Sequence, residues 1–210
     1  MKKMYSLNDI GANLDLPCRE APGPRGTSLE YIWNLSAANQ MIALIVQDNI
    51  SEVILDGHPQ AWLACYLALK LRPRVVSLFI PPMGCDIPMV PLSFGQTNPD
   101  GHVIFQISSF EDGLLLQFQP DSRDYQPSFL QNIVLPESTQ GQHIYLQGMA
   151  PNFITGSLAL TLADVCPSVS IGGQDGSFIC VSSSSGDKQP GQITATRSME
   201  RPNTPASERR

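Results

Sequence analysis

Apolar residues in this chain gather into short runs that stop at glycine or proline, and the run lengths set the elements to expect. Val53-Ile54-Leu55-Asp56-Gly57 reads as a buried strand ending at a glycine turn. Ala61 to Leu71 reads as an apolar helix, and Val75 to Ile80 as a second buried strand. The same order returns further on. His143 to Gly148 is a strand that stops at glycine, Phe153 to Leu162 a helix, and Ser168 to Ile171 the start of another strand. Gly113 to Phe118, Phe178 to Val181 and a short helix or turn over Pro127 to Ile133 complete the second set.

The landmarks recur at nearly one period. Gly57 maps to Gly148 and Trp62 to Phe153 with a shift of 91, and Gly101-His102-Val103-Ile104 maps to Gly191-Gln192-Ile193 with a shift of 90. Duplication accounts for this; the alternative is the likeness that any two βαβ units share. The expected fold is α/β: two tandem βαβ-containing units with mixed sheets, packed as an intramolecular pseudo-dimer and followed by a disordered C-terminal tail. Residues 1–28, broken by Pro17, Pro22, Pro24, Gly23 and Gly26, read as an irregular N-terminal extension. The first unit is then 29–104 and the second 105–194, with the boundary near Phe105 to Ser109. Residues 195–210 hold one large apolar side chain, Met199, and read as the tail.

Composition narrows the classes. With 42% apolar residues, 210 residues can build a substantial core, while 18 prolines, 16 glycines and a charged fraction of 15% exclude a coiled coil. A net charge of −6 excludes duplex-DNA binding through bulk positive charge. The longest apolar run, Ala61 to Leu69, is far shorter than the roughly 20 residues that span a bilayer, so no membrane partner is expected. Five cysteines without CxxC spacing fit reduced thiols, and the N-terminus lacks the apolar stretch of an export signal. The cytoplasm is the expected compartment. Hydrolase and dinucleotide signatures such as Gly-x-Ser-x-Gly and Gly-x-Gly-x-x-Gly are missing, and Ser182 to Gly186 lacks the spacing and lysine of a phosphate loop.

From Gly113 to Ile193 the second unit resembles the small type III CRISPR-associated ring nucleases for cyclic tetra-adenylate, also described as manganese-dependent deadenylating RNA exonucleases. Gly148-x-x-Pro151-x-Phe153 stands where that family tends to have Gly-x-x-Pro-x-Trp. In the first unit Gly57-His58-Pro59-Gln60-Ala61-Trp62 keeps the glycine-to-aromatic spacing, and Phe79 to Gly84 resembles the family's Asp-Pro-Arg-Leu-Gly turn. The resemblance implies two fused copies of a domain that works as a homodimer. It also implies a cyclic oligoadenylate or a single-stranded RNA end as partner, and Gly148, Pro151 and Phe153 among the contacts. The family's histidine before proline and its aspartate before proline fall on Arg72-Pro73 and Ile80 in one unit, and on Cys166-Pro167 and Gly172 or Gly173 in the other. Isoleucine and glycine neither ligate a hard cation nor move a proton, so binding without nuclease chemistry is expected, with no catalytic residue and no cofactor assigned.

The remaining candidates follow from local chemistry. His58 sits between a strand end and the helix start at Pro59, where free backbone N–H groups favour an anion; otherwise it is a turn histidine. Asp56 is a turn cap or, with His58 and perhaps His102, part of a relocated manganese-dependent phosphodiesterase; the third histidine is His143. Lys70, Arg72 and Arg74 are phosphate contacts or cations that suit a helix C-terminus. Trp62 and Phe153 open the two helices and either stack on a base or fill the core. Tyr31 and Trp33 read as core. Residues 1–104 carry seven basic against nine acidic side chains, whereas residues 105–194 carry two against eight. If an oligonucleotide binds, the first unit is expected to do most of the electrostatic work; the alternative is an interaction subunit with no nucleotide ligand, which holds a protein partner through the acidic second unit or the tail.

Overall fold

The computed structural model describes residues 1–23, 26–95, 103–121, 127–173 and 175–197. It is mixed α/β with two main sheets. In the first, β1 (Lys2–Ser6), β4 (Glu52–Asp56) and β5 (Val75–Ile80) run parallel, and β6 (Cys85–Pro88) is antiparallel to β5. The second has β9 (Gly113–Pro120), β11 (His143–Gly148) and β12 (Ser168–Gly172) parallel, then β13 (Ser177–Ser183) and β14 (Ile193–Thr196) antiparallel. It is closed on its other edge by β8 (Val103–Phe110), antiparallel to β9. Smaller ladders pair β2 (Cys18–Gly23) with β3 (Gly26–Tyr31), and β7 (Ser93–Gly95) with β10 (Val134–Pro136).

Among the described residues there are four α-helices: α1 (Leu7–Asn13), α2 (Leu35–Gln47), α3 (Ala61–Lys70) and α4 (Asn152–Leu162). The β4–α3–β5 and β11–α4–β12 units stand where the apolar runs place them. Both helices read apolar all round because both are buried: Trp62 to Ala68 without a break in α3, and Phe153 to Leu162 in α4. They pack on each other, α3 also contacts β12 and β13, and α4 also contacts β5. One continuous core therefore includes Leu55 and Leu78 of the first sheet, Leu63, Leu67 and Leu158 of the helices, and Leu146 and Val169 of the second sheet.

Several expectations need correction. Residues 1–28 are not simply irregular: β1 lies beside β4 in the first sheet, and α1 and the β2–β3 hairpin follow it. The boundary near Phe105 to Ser109 falls inside β8, which pairs along its whole length with β9. The third landmark also dissolves, since Val103 and Ile104 lie at one edge of the second sheet and Ile193 at the other. Ala195 and Thr196, assigned to the tail, are paired in β14, and residues 198–210 lie outside the described residues. All five cysteines are free, with Cys65, Cys166 and Cys180 buried. Burial pushes the Cys166 thiol up to about 11 and the other two upward as well. Among the described residues no helix is long and apolar enough to cross a membrane.

Candidate functional site

The turn from β4 into α3 and the turn from β11 into α4 lie at the carboxyl ends of parallel strands, the usual place for ligands in α/β sheets. Each turn depends on a glycine. Gly57 has φ +122°, a conformation open to glycine. At Gly148 an added Cβ would run into the Phe118 carbonyl oxygen and ring on the neighbouring strand β9. Pro59 and Pro151 sit just before the helices, and neither helix has a side-chain cap.

The fold brings these two turns together. Asn152 Nδ2 donates to the Pro59 carbonyl oxygen at 2.5 Å. At the far end, Arg72 Nη1 meets Asp164 Oδ1 at 2.5 Å and Nη2 donates to the Leu160 carbonyl at 2.6 Å. The helices therefore run parallel, N-terminus beside N-terminus, and their positive dipole ends add at the paired turns. His58 and Gly148 are exposed there, Asp56, Gly57 and Pro151 are half-buried, and Pro59 is buried beneath.

The other candidates do not join them. Lys70 is about 15 Å along α3 from the turn, given the helical rise per residue, and Arg72 and Arg74 follow it. Arg72 bridges the two helix ends, Arg74 Nε donates to the Ile50 carbonyl at 3.0 Å, and Lys70 lies 5.7 Å from the centre of the Tyr66 ring. Arg72 thus ties the two helix ends together and Arg74 ties the chain to the loop at Ile50. Phe153 is 1% exposed and Trp62 8%, with Trp62 Nε1 donating to Gln60 Oε1 at 3.0 Å. Both are core residues and present no face on which a base could stack. Trp33 is buried as expected, and Tyr31 is half-buried.

Compared with known families, curated proteins and solved structures, the chain matches none. Its own geometry carries the argument.

A second cluster, not singled out in the sequence, lies on β11 and its surroundings. Tyr145 Oη donates to Asp112 Oδ1 at 2.6 Å, and Lys188 Nζ meets the same carboxylate oxygen at 2.7 Å and Tyr145 Oη at 3.0 Å. Tyr145 stacks edge-on against Phe110 and Phe178. Nearby, His143 Nδ1 and Ser168 Oγ are 2.7 Å apart. Desolvation pushes the Asp112 carboxyl up, but its bonds to Lys188 and Tyr145 outweigh this and hold it below the usual carboxylate range. Lys188 is raised, its bonds to Asp112 and Tyr145 outweighing desolvation, and Tyr145 is raised mainly by burial. The signal for this cluster was alternation. His143, Tyr145 and Gln147 share one side of β11, while Ile144 and Leu146 face the core. Asp112 and Lys188 sit in turns with no periodic mark.

Asp56 and His58 are the donors nearest the paired turns, and His102 lies outside the described residues. Among the described residues no group of three His, Cys, Asp or Glu side chains is placed to hold a metal ion. Asp56 and His58 thus supply two donors of the expected manganese set among the described residues.

Proposed function

We propose that this chain is a nucleotide-binding module of the type III CRISPR accessory kind, which holds a cyclic oligoadenylate or an RNA end at the paired turns 57–60 and 148–151 without cleaving it. The observation that carries the reading is the Asn152–Pro59 bond, which sets the uncapped N-termini of two parallel helices side by side. Two such ends, with His58 exposed between strand and helix, favour phosphate. The resemblance supplies the class of phosphate ligand.

The same reading includes duplication. Each half has three parallel strands followed by an antiparallel one, and each buried helix also contacts the other half's sheet. This packing supports the reading of a fused pseudo-dimer, with the ligand near its approximate twofold. The positions that correspond to the family's histidine and aspartate hold Arg72 and Ile80 in one half and Cys166 and Gly172 or Gly173 in the other, and that supports binding over chemistry.

The test is a thermal-shift titration with cyclic tri-, tetra- and hexa-adenylate, followed by chromatography of the same samples. Binding should raise the melting temperature, with about 2.7 kcal/mol of added stability at a hundredfold excess over Kd, and the ring should be recovered intact. His58→Ala should weaken binding about tenfold, close to 1.4 kcal/mol. A linear product would overturn the non-catalytic reading. No shift with any ring or with a linear oligoadenylate would overturn the nucleotide reading and favour a protein partner for the acidic second half.

A further inference from the structure

β8 is an edge of the second sheet, and among the described residues it pairs with β9 alone. Its sequence, Val-Ile-Phe-Gln-Ile-Ser-Ser-Phe, runs for eight residues without a charge, a proline or a break in register. Ile104 is 57% exposed and Ile107 39%, and Gln106, Ser108 and Ser109 are exposed beside them. Sheets guard such an edge against further pairing with charge, proline, bulges or short length, and the other three edges of the two main sheets are guarded. β1 carries Lys2 and Lys3, β6 is four residues long with Asp86 and Pro88, and β14 is four residues long with its register broken between Phe178 and Ile179. We propose that β8 is an interaction edge to which a second copy of this chain adds, antiparallel, strand against strand. The proposal does not rest on oligoadenylate binding.

The hairpin fixes which backbone groups are free. Glu111 and Asp112 form a two-residue turn, with Glu111 at φ +48°, so the flanking pair Phe110 and Gly113 shares the first hydrogen bonds of the ladder. Bonded pairs then alternate along an antiparallel ladder. Ile104, Gln106 and Ser108 therefore bond to β9, while Val103, Phe105, Ile107 and Ser109 turn their N–H and C=O groups outward. Pro120, which has no N–H to offer, stands opposite Val103 in keeping with this alternation. A second β8 matches the edge under a twofold axis at Gln106. The pairs across the axis are then Phe105 with Ile107 and Val103 with Ser109, so each outward amide meets a carbonyl and the contact closes at two chains. Charge selects the occupant. A chain of net charge −6 repels its own copy, and that repulsion is least along a neutral edge. A charged strand would set its charges against isoleucine and phenylalanine here, whereas β8 brings none. Gly148 pairs with Phe118 and Phe118 with Phe105, so the twofold sends the two sets of paired turns to opposite ends of the joined sheet and leaves them open.

Sedimentation equilibrium of the full chain over a range of concentrations tests the proposal. A monomer–dimer equilibrium is expected, about tenfold weaker in Ile107→Pro, which removes an outward donor and leaves the β8–β9 ladder its bonds. Gln106→Lys sets like charges across the axis and should also weaken the dimer, more so at low salt. An unchanged circular dichroism spectrum checks that both variants fold, and Gln106→Lys carries the test if proline disturbs the strand. Ile193→Lys, on the opposite edge of the sheet, should leave the dimer intact. Hydrogen exchange should show the Phe105, Ile107 and Ser109 amides gaining protection in concentrated protein, with Gln106 and Ser108 unchanged. A chain that stays monomeric at every concentration, or that takes up an unrelated peptide along β8 in place of its own copy, overturns the proposal. A dimer that folded Ile107→Pro and Gln106→Lys both leave intact overturns it as well.

Discussion

Single atoms decide several features of this chain. A Cβ on Gly113 would collide with the His143 carbonyl oxygen, and that atom belongs to the backbone of the paired strand. Gly113→Ala must therefore push β9 away from β11, and overpacking of this kind costs about 1–3 kcal/mol. Urea denaturation should show the loss. The Asp112–Tyr145–Lys188 cluster makes a prediction about pH. Asp112 titrates below its ordinary value of 3.8 in the folded state, so its contribution is present above that value and fades as acid takes the pH through the lowered one. Lys188 is raised above 10.5, so its contribution is complete below that value and fades as alkali takes the pH through the raised one. The Asp112 side chain is 54% exposed, and solvent screening keeps the effect under about 1 kcal/mol. Asp112→Asn should accordingly flatten the acid limb of a stability–pH profile and leave the neutral melting temperature little changed.

Among elements, α4 is the most revealing, because it is buried on every side yet carries Ser157 and Thr161 one turn apart. A neighbouring segment explains them. Val90 N donates to Ser157 Oγ at 3.0 Å and Leu92 N to Thr161 Oγ1 at 2.7 Å, so the helix supplies acceptors to a strand-like stretch that has no ladder of its own there. Replacing both, as Ser157→Ala with Thr161→Val, strands two amides. The expected loss is about 2–4 kcal/mol, and hydrogen exchange should show the Val90 and Leu92 amides losing protection. The same helix shows what sequence could and could not reveal. Its apolar run, with that of α3 and the flanking strands, was legible because burial on all sides leaves no polar interruption. β1 was not, because Tyr5 is its one buried side chain in Lys2–Ser6. α2 is harder to read from sequence, although its Ala37, Ala38, Met41 and Ile45 are buried at helical spacing. At the candidate site, glycine and proline marked the turns. The separation of Lys70, Arg72 and Arg74 from them was hidden, because sequence proximity along a helix says nothing about which end a side chain serves.

For the molecule as a whole, the shared core predicts shared stability. Leu67 is fully buried in α3, within a core that reaches both sheets. Leu67→Ala should cost about 2–5 kcal/mol and lower the melting of both halves together. Trp33 and Trp62 report the first half by fluorescence, and amide exchange in β12 reports the second. Coincident transitions are expected; separate ones would mean that the halves are independent domains.

The parallel contact between α3 and α4 also bears on how the chain could be divided. Each helix covers part of the other half's sheet, so the two halves share their main interior. Fragments 1–95 and 103–210, made separately, should each stay largely unstructured and regain the native fold when mixed, as complementing pieces do. Splitting the gene between the two sheets would then leave one obligate heterodimer in place of one chain, with the paired turns reassembled at its interface.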